Sequence, residues 1–265
     1  MKTITSRNNQ MLKFARKVRD GKVEDQIFIE GLRLAEEALK SEIIVTEVFI
    51  TESFAANNLE FVEKLSSQTE IFTISDKLFK SISDTKNPQG IILICGKPKF
   101  EKDNFFRNLK LKSDFPIVLL LHNINNPNNL GAIFRTAEAV GIKGIITSKN
   151  STNAFSPKSV RASMGSVLRI PVWENVGFET ALKWAGENNL TTTCADINAE
   201  KSYTEVDWKK PKLLIFGSEA HGLSREERSK IEENLFIPME KNVESLNLAV
   251  ACGIILFEAK RQFLI

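Results

Sequence analysis

Three short polar segments, each following an apolar run of strand length, hold the residues of this chain whose types and spacing suit chemistry. The first is HNINNPNNLGAIFRTAEAVG, residues 122–141. A strand ends near His122, an Asn/Pro-rich turn follows, and a helix is expected from about Leu130. Asn128 and Asn129 fall where the chain turns, and asparagine accepts a left-handed backbone better than most residues. Ile133, Ala137 and Val140 form a stripe at helical spacing, and at 100° per residue Arg135 points about 200° away from Ile133. Arg135 is therefore off the core face. A cation beside a helix N-terminus makes a phosphate site; the plain structural reading is a surface arginine. The second segment is KLLIFGSEAHGLS, where Gly217 and Gly222 bracket Glu219 and allow a tight turn close to a ligand. Its plain reading is a strand-to-helix turn with a solvated carboxylate. His221 in the same loop is either a base or an incidental loop histidine. The third is LFIPMEKNVESLNLAVACGIILFEAKRQ. Ser245 reads as a helix N-cap. Asn247 has no capping role in that reading, and on a helix that is apolar nearly all round it needs a partner.

The elements that position these segments follow from hydrophobic patterning. Short apolar runs (PIVLLL, GIIT, TTTCAD, KLLIFG, LFIPM) alternate with helical stretches (LGAIFRTAEAVG, SPKSVRASMGSV, GFETALKWAGENN, SREERSKIEEN). This alternation predicts an α/β fold with a parallel sheet covered on both faces. Ligands in such sheets sit beyond the carboxyl ends of the strands, where the three polar segments fall. The first hundred residues form a separate small α/β domain. EGLRLAEEALKS is an amphipathic helix, VTEVFIT and EIFTIS are strands, SDKLFKSIS is a short helix capped by Ser75, and the turn Asn87-Pro88-Gln89-Gly90 leads into the strand IILIC. The expected division is 1–97, a linker at 98–114, and 115–265.

Composition narrows the class. With 42% hydrophobic and 26% charged residues in 265, the chain is globular. No apolar run reaches the ~18 residues of a membrane helix, and the N-terminus lacks a signal-peptide core, so a cytoplasmic location is expected. Cys95, Cys194 and Cys252 are isolated and read as reduced, buried thiols. No His/Cys spacing suits a metal. Net charge is only +3, but residues 1–22 carry seven Lys/Arg against Asp20 alone, a net +6. This leader is either a phosphate-attracting surface or a solvated helix face.

In their order along the chain, these segments resemble the SpoU/TrmH family of RNA ribose 2′-O-methyltransferases, within the SPOUT class. The family pattern N-x-G-x-x-x-R-T-A is matched by Asn129, Gly131, Arg135, Thr136 and Ala137. G-x-E-x-x-G is matched by Gly217, Glu219 and Gly222, and S-L-N by Ser245, Leu246 and Asn247. The stretch SPKSVRASMGSVLRIPV, with Arg161, Ser163 and Gly165, is similar as well. So are the FIEG helix and NPQG turn of the first half, which resemble its RNA-substrate domain. Asn128 stands where glycine is usual.

The resemblance implies a C-terminal domain tied in a deep trefoil knot, with S-adenosylmethionine bent into the knot loops. It implies that Gly217, Ile237 and Leu246 contact the cofactor, with Thr193 and Ala195 lining the same pocket. Arg135 is the implied key to the chemical step, as general base or as a grip on the target phosphate. Asn129, Glu219, Ser245 and Asn247 are the implied orienting groups. A homodimer and an RNA partner, ribosomal rather than transfer RNA, are also implied. Two alternatives stay open at this point: a methyltransferase acting on tRNA ribose or on an RNA base, and a silent RNA-binding or ribosome assembly factor.

Overall fold

The computed structural model describes residues 1–67, 69–99 and 115–265; most of the expected linker, residues 100–114, lies outside the described residues. The chain forms two compact units. One holds Met1–Lys99 and, from further along the chain, Phe155–Arg169; the other holds the described residues 115–154 and Ile170–Ile265.

In the first unit, strands β1 (Lys2–Ile4), β2 (Gln26–Glu30), β3 (Val45–Thr51), β4 (Ile71–Ile74) and β5 (Ile91–Gly96) form one sheet in the order β1-β4-β3-β5-β2. Five helices pack with it: α1 (Gln10–Arg19), α2 (Leu32–Lys40), α3 (Glu52–Asn57), α4 (Leu59–Ser66) and α5 (Asp76–Ile82). The basic leader is structural as well as charged. β1 pairs with β4, and α1 buries Leu12, Ala15 and Val18 against Phe28, Phe49, Phe72 and Phe79. Ser75 caps α5 as expected, accepting from the Leu78 amide. The NPQG turn does a second job. Gly31 precedes α2 with no side chain to cap it, and the Gln89 Oε1 accepts from the Leu32 amide at 3.0 Å instead. Helix α6, the family-like stretch's Pro157–Ala162, packs on β2 within this unit. Arg161 meets Asp84 at 2.6 Å and Arg169 meets Glu37 at 2.9 Å.

The second unit is built on a seven-stranded sheet, all parallel. Its strands are β6 (Ile117–Leu121), β7 (Ile145–Ser148), β8 (Val172–Val176), β9 (Thr191–Ala195), β10 (Lys201–Ser202), β11 (Lys212–Phe216) and β12 (Glu233–Phe236), in the order β10-β12-β9-β11-β6-β7-β8. Every residue of β6 and β11 is buried, as expected for central strands covered on both faces. Lys212 is buried at the start of β11. It is neutralised by Glu233 at 2.7 Å, which also holds Lys201 at 2.6 Å. The helices are α7 (Pro127–Val140), α8 (Phe178–Glu187), α9 (Arg225–Arg228) and α10 (Leu248–Leu264), and α10 packs on α7. All three cysteines are free and buried. Among the described residues no helix is long and apolar enough to cross a membrane.

Four local expectations are corrected. The helix of the first segment starts at Pro127 with Asn126 as its cap, not near Leu130. Asn128 and Asn129 are therefore helical, and the left-handed asparagine is Asn123, at φ 57°. Arg135 lies eight residues on from Pro127, about 12 Å along the axis at 1.5 Å per residue, too far for the helix terminus to act on it. The SREERSKIEEN stretch is helical only over Arg225–Arg228, because its remainder turns into β12.

Candidate active site

Strands β12, β9, β11 and β6 are neighbours in the sheet, so their carboxyl ends open at one place. The segments leaving β6, β11 and β12 are the expected polar ones. Their backbone amides account for themselves almost completely, as a partly buried loop requires. Beyond β6, the His122 amide donates to Phe216 O at 2.8 Å. The Asn123 amide donates to Ser148 Oγ at 2.9 Å and the Ile124 amide to Ser151 Oγ at 3.1 Å. The next two amides, Asn125 and Asn126, donate to Glu219 Oε2 and Oε1 at 3.1 and 3.0 Å. Asn126 Oδ1 then accepts from the Asn128 amide and starts α7.

Glu219 sits in a loop closed by an antiparallel bridge between Ser218 and Gly222, with their amides and carbonyls paired at 2.9 and 3.2 Å. This closure sets the glycines. A Cβ on Gly217 would lie 2.3 Å from the carbonyl carbon of Gly222 and 2.5 Å from the Leu223 nitrogen. Gly222 has open space but a φ of +63°. Partial burial pushes the Glu219 carboxyl upward. The Asn125 amide, its own amide, the Asn126 amide and the Asn129 side chain outweigh that, and hold it below the usual glutamate range.

A chain of side-chain amides extends from Glu219 to the last helix. Asn247, not Ser245, is the N-cap of α10: its Oδ1 accepts from the Ala249 and Val250 amides at 3.0 and 3.3 Å. This reverses the expected roles of the two residues. Because Oδ1 faces fixed donors, Nδ2 faces outward and donates to Asn129 Oδ1 at 3.1 Å. Asn129 Nδ2 then donates to Glu219 Oε1 at 3.2 Å. The three expected segments are thus tied by Asn129.

Next to this joint is a cavity of about 360 Å³, within the range of small-molecule sites. Gly217, Ile237, Leu246, Ala195, Glu219 and Ser245 line it, as does His221. Thr193 does not; its hydroxyl lies inside the sheet, 3.3 Å from Glu233 Oε2. A second, open recess is lined by Asn125, Asn126, Pro127 and Asn129 with residues 218–221, so the Glu219 loop is shared by both. Arg135 lines neither; it is exposed and has no hydrogen bond or ion pair among the described residues. Among the described residues there is no cluster of three metal-ligating side chains.

Some site residues were missed in the sequence. Asp196 follows β9 into the cavity wall and pairs with Arg228 at 2.6 Å. His122 is buried and bonds Glu227 at 2.8 Å. Glu227 and Ser224 form a capping box; the S-x-x-E spacing of SREE was the available signal.

A family model described as the SpoU rRNA Methylase family matches residues 116–257, more than half of the chain. The chain belongs to the SpoU rRNA methylase family. A second model, the MRM3-like substrate binding domain, matches residues 9–93. Among its relatives, an uncharacterized tRNA/rRNA methyltransferase of Synechocystis is 30% identical over 98% of this chain and 94% of its own. The 23S rRNA (guanosine(2553)-2′-O)-methyltransferase RlmP of Bacillus subtilis is 29% identical over 98% of this chain and 100% of its own. The crystal structure of an AdoMet-bound rRNA methyltransferase from Sinorhizobium meliloti superposes with a TM-score of 0.82 at 28% identity, covering 98% of this chain and 97% of that one. A structure concerned with 2-OH methylation of C/U34 on tRNA matches 57% of this chain and 99% of its own, with a TM-score of 0.53 at 29% identity.

The two glycines of the SpoU loop are required for different reasons, which urea unfolding separates. Gly222→Ala loses only the left-handed preference, about 1 kcal/mol. Gly217→Ala must displace backbone and is expected to cost at least about 2–3 kcal/mol; equal costs at the two positions would refute this account of the loop.

Proposed function

We propose that this protein methylates a ribose 2′-hydroxyl of ribosomal RNA, with the cavity beside Glu219 holding the methyl donor and the recess over Asn125–Asn129 facing the RNA. The observation that carries this is the joint at Asn129, which ties the walls of the cavity and of the recess to the start of α10. S-adenosylmethionine is the donor, and when bound it supplies an electrophilic methyl group on a sulfonium. The residues fit it. The cavity has the volume of a small-molecule site and apolar walls from Ile237 and Leu246, with Gly217 in its lining. Gly217, Ile237, Leu246 and Ala195 would hold it, in loops that we take to form the family's trefoil knot.

The chain's own residues orient and grip. Glu219 and Asn247 fix the Asn129 amide so that its polarity is set before substrate arrives, and Ser245 adds a hydroxyl at the cavity edge. Arg135, exposed and unpaired, is the group for the target phosphodiester. A guanidinium keeps its proton below a pH of about 12, so Arg135 serves better as a donor that clamps phosphate than as a base. The ribose proton then leaves toward the clamped phosphate or water. Ribosomal RNA is favoured over tRNA because the B. subtilis relative and the S. meliloti structure, each matching 98% of this chain, are named for rRNA alone, while the structure concerned with tRNA matches 57% of it. Two copies are proposed to pair through α10, which leaves Val250 and Phe257 51% and 57% exposed.

Three outcomes are expected. Arg135→Ala abolishes the 2′-O-methyl nucleoside in digests of product RNA while calorimetric binding of S-adenosylmethionine persists; wild-type turnover would remove Arg135 from the reaction, and a base-methylated nucleoside would overturn the ribose assignment. Lys13→Glu with Lys17→Glu, both exposed on α1, weakens RNA binding and lowers its salt slope by about two or more; an unchanged slope would return α1 to a merely solvated face. Phe257→Asp yields monomers in sedimentation, and an unaltered mass would exclude that face as the interface.

A further inference from the structure

The cavity wall contains a cation that has no part in the proposed methyl transfer. Among the described residues lining it, Arg228 is the sole lysine or arginine. It projects from α9, whose start is fixed by the Ser224–Glu227 capping box, and Glu227 is itself held by His122. Its side chain is also fixed in place. Nη1 donates to Asp196 Oδ2 at 2.6 Å, and Asp196 Oδ1 is occupied by the Asn198 amide at 3.0 Å. Asp196 therefore has little acceptor capacity left, whereas Arg228 has spent one of five N–H donors. Its Nε and Nη2 donors have no partner among the described residues, and its side chain is 33% exposed. An aligned, partly exposed guanidinium with free planar donors is a carboxylate receptor.

We propose that Arg228, oriented by Asp196, receives the α-carboxylate of the methyl donor, making it the residue that selects a ligand with an intact amino-acid tail over a bare nucleoside. The inference rests on the reading of the cavity as the S-adenosylmethionine site. Arg228 is a binding residue in this account and Asp196 a positioning one. The remaining carboxylates at the wall, Glu219 and Glu244, suit the tail's ammonium and not its carboxylate, which leaves Arg228 as the anion's partner.

The test is a calorimetric cycle with the full chain. S-adenosylhomocysteine and its decarboxylated analogue, which lacks only the α-carboxylate, are titrated into wild type and Arg228→Gln. Wild type is expected to prefer the carboxylated ligand by about 10- to 100-fold, the range for a charge-assisted hydrogen bond. In Arg228→Gln that preference should fall to within about threefold, with the decarboxylated ligand bound as in wild type. A preference that survives the substitution overturns the proposal, as does an equal loss for both ligands, which would mark Arg228 as structural. If wild type binds neither ligand, the cofactor reading fails instead. Should Arg228→Gln lose its cooperative melt, a crystal structure of wild type with S-adenosylhomocysteine decides: a carboxylate out of hydrogen-bond reach of Arg228 overturns the assignment.

Discussion

The site depends on one ion's appetite for donors. A carboxylate accepts and cannot donate, so Glu219 must be surrounded by hydrogen-bond donors. It takes them from two consecutive backbone amides beyond β6 and from the Asn129 side chain. Those donors belong to a loop that would otherwise present bare amides to solvent, and the acceptor belongs to a loop that follows a different strand. Satisfying both fixes the loops against each other. The same requirement propagates to α10, because the polarity of Asn129 leaves only a donor acceptable at Asn247.

Strength and chemistry sit at opposite ends of the parallel sheet. At the amino ends, the buried Lys212 and its partners Glu233 and Lys201 hold the edges of β11, β12 and β10 together. At the carboxyl ends, the backbone leaves the ladder and must find partners in side chains. An ion pair with one member 3% exposed is costly to break, since the survivor is left charged and dry. The carboxyl-end network is wetter and individually weaker, which suits loops that admit a ligand.

Much of this was legible. The stripe Ile133, Ala137 and Val140 placed Arg135 off the core, and the all-apolar strands placed the sheet. What failed were features decided by where an element begins. The first segment holds several asparagines, each a competent cap, and Asn126 is selected by Pro127 at the first helical position together with the amide bonds of Asn125 and Asn126 to Glu219. Ser245 and Asn247 exchanged roles for the same reason. Thr193 shares a strand face with Ala195 by alternation, yet the cavity starts only where the strand stops. Arg228 was hidden because a four-residue helix carries no periodicity. The stretch Phe155–Arg169 leaves one unit for another through ion pairs, Arg161–Asp84 and Arg169–Glu37, and local patterning carries no record of contacts between residues so far apart in sequence.

The Asn129 amide has a further consequence. Its oxygen faces a donor and its nitrogen faces an acceptor, so the group has one permitted orientation and no isosteric substitute. Hydrolysis of that amide to an acid, the commonest chemical ageing of asparagine, would leave shape and volume nearly unchanged while setting two carboxylates face to face. The joint would then repel where it had attracted. The seam between the cavity and the recess is thus sensitive to the charge of one side chain, while the buried strands beneath it are not.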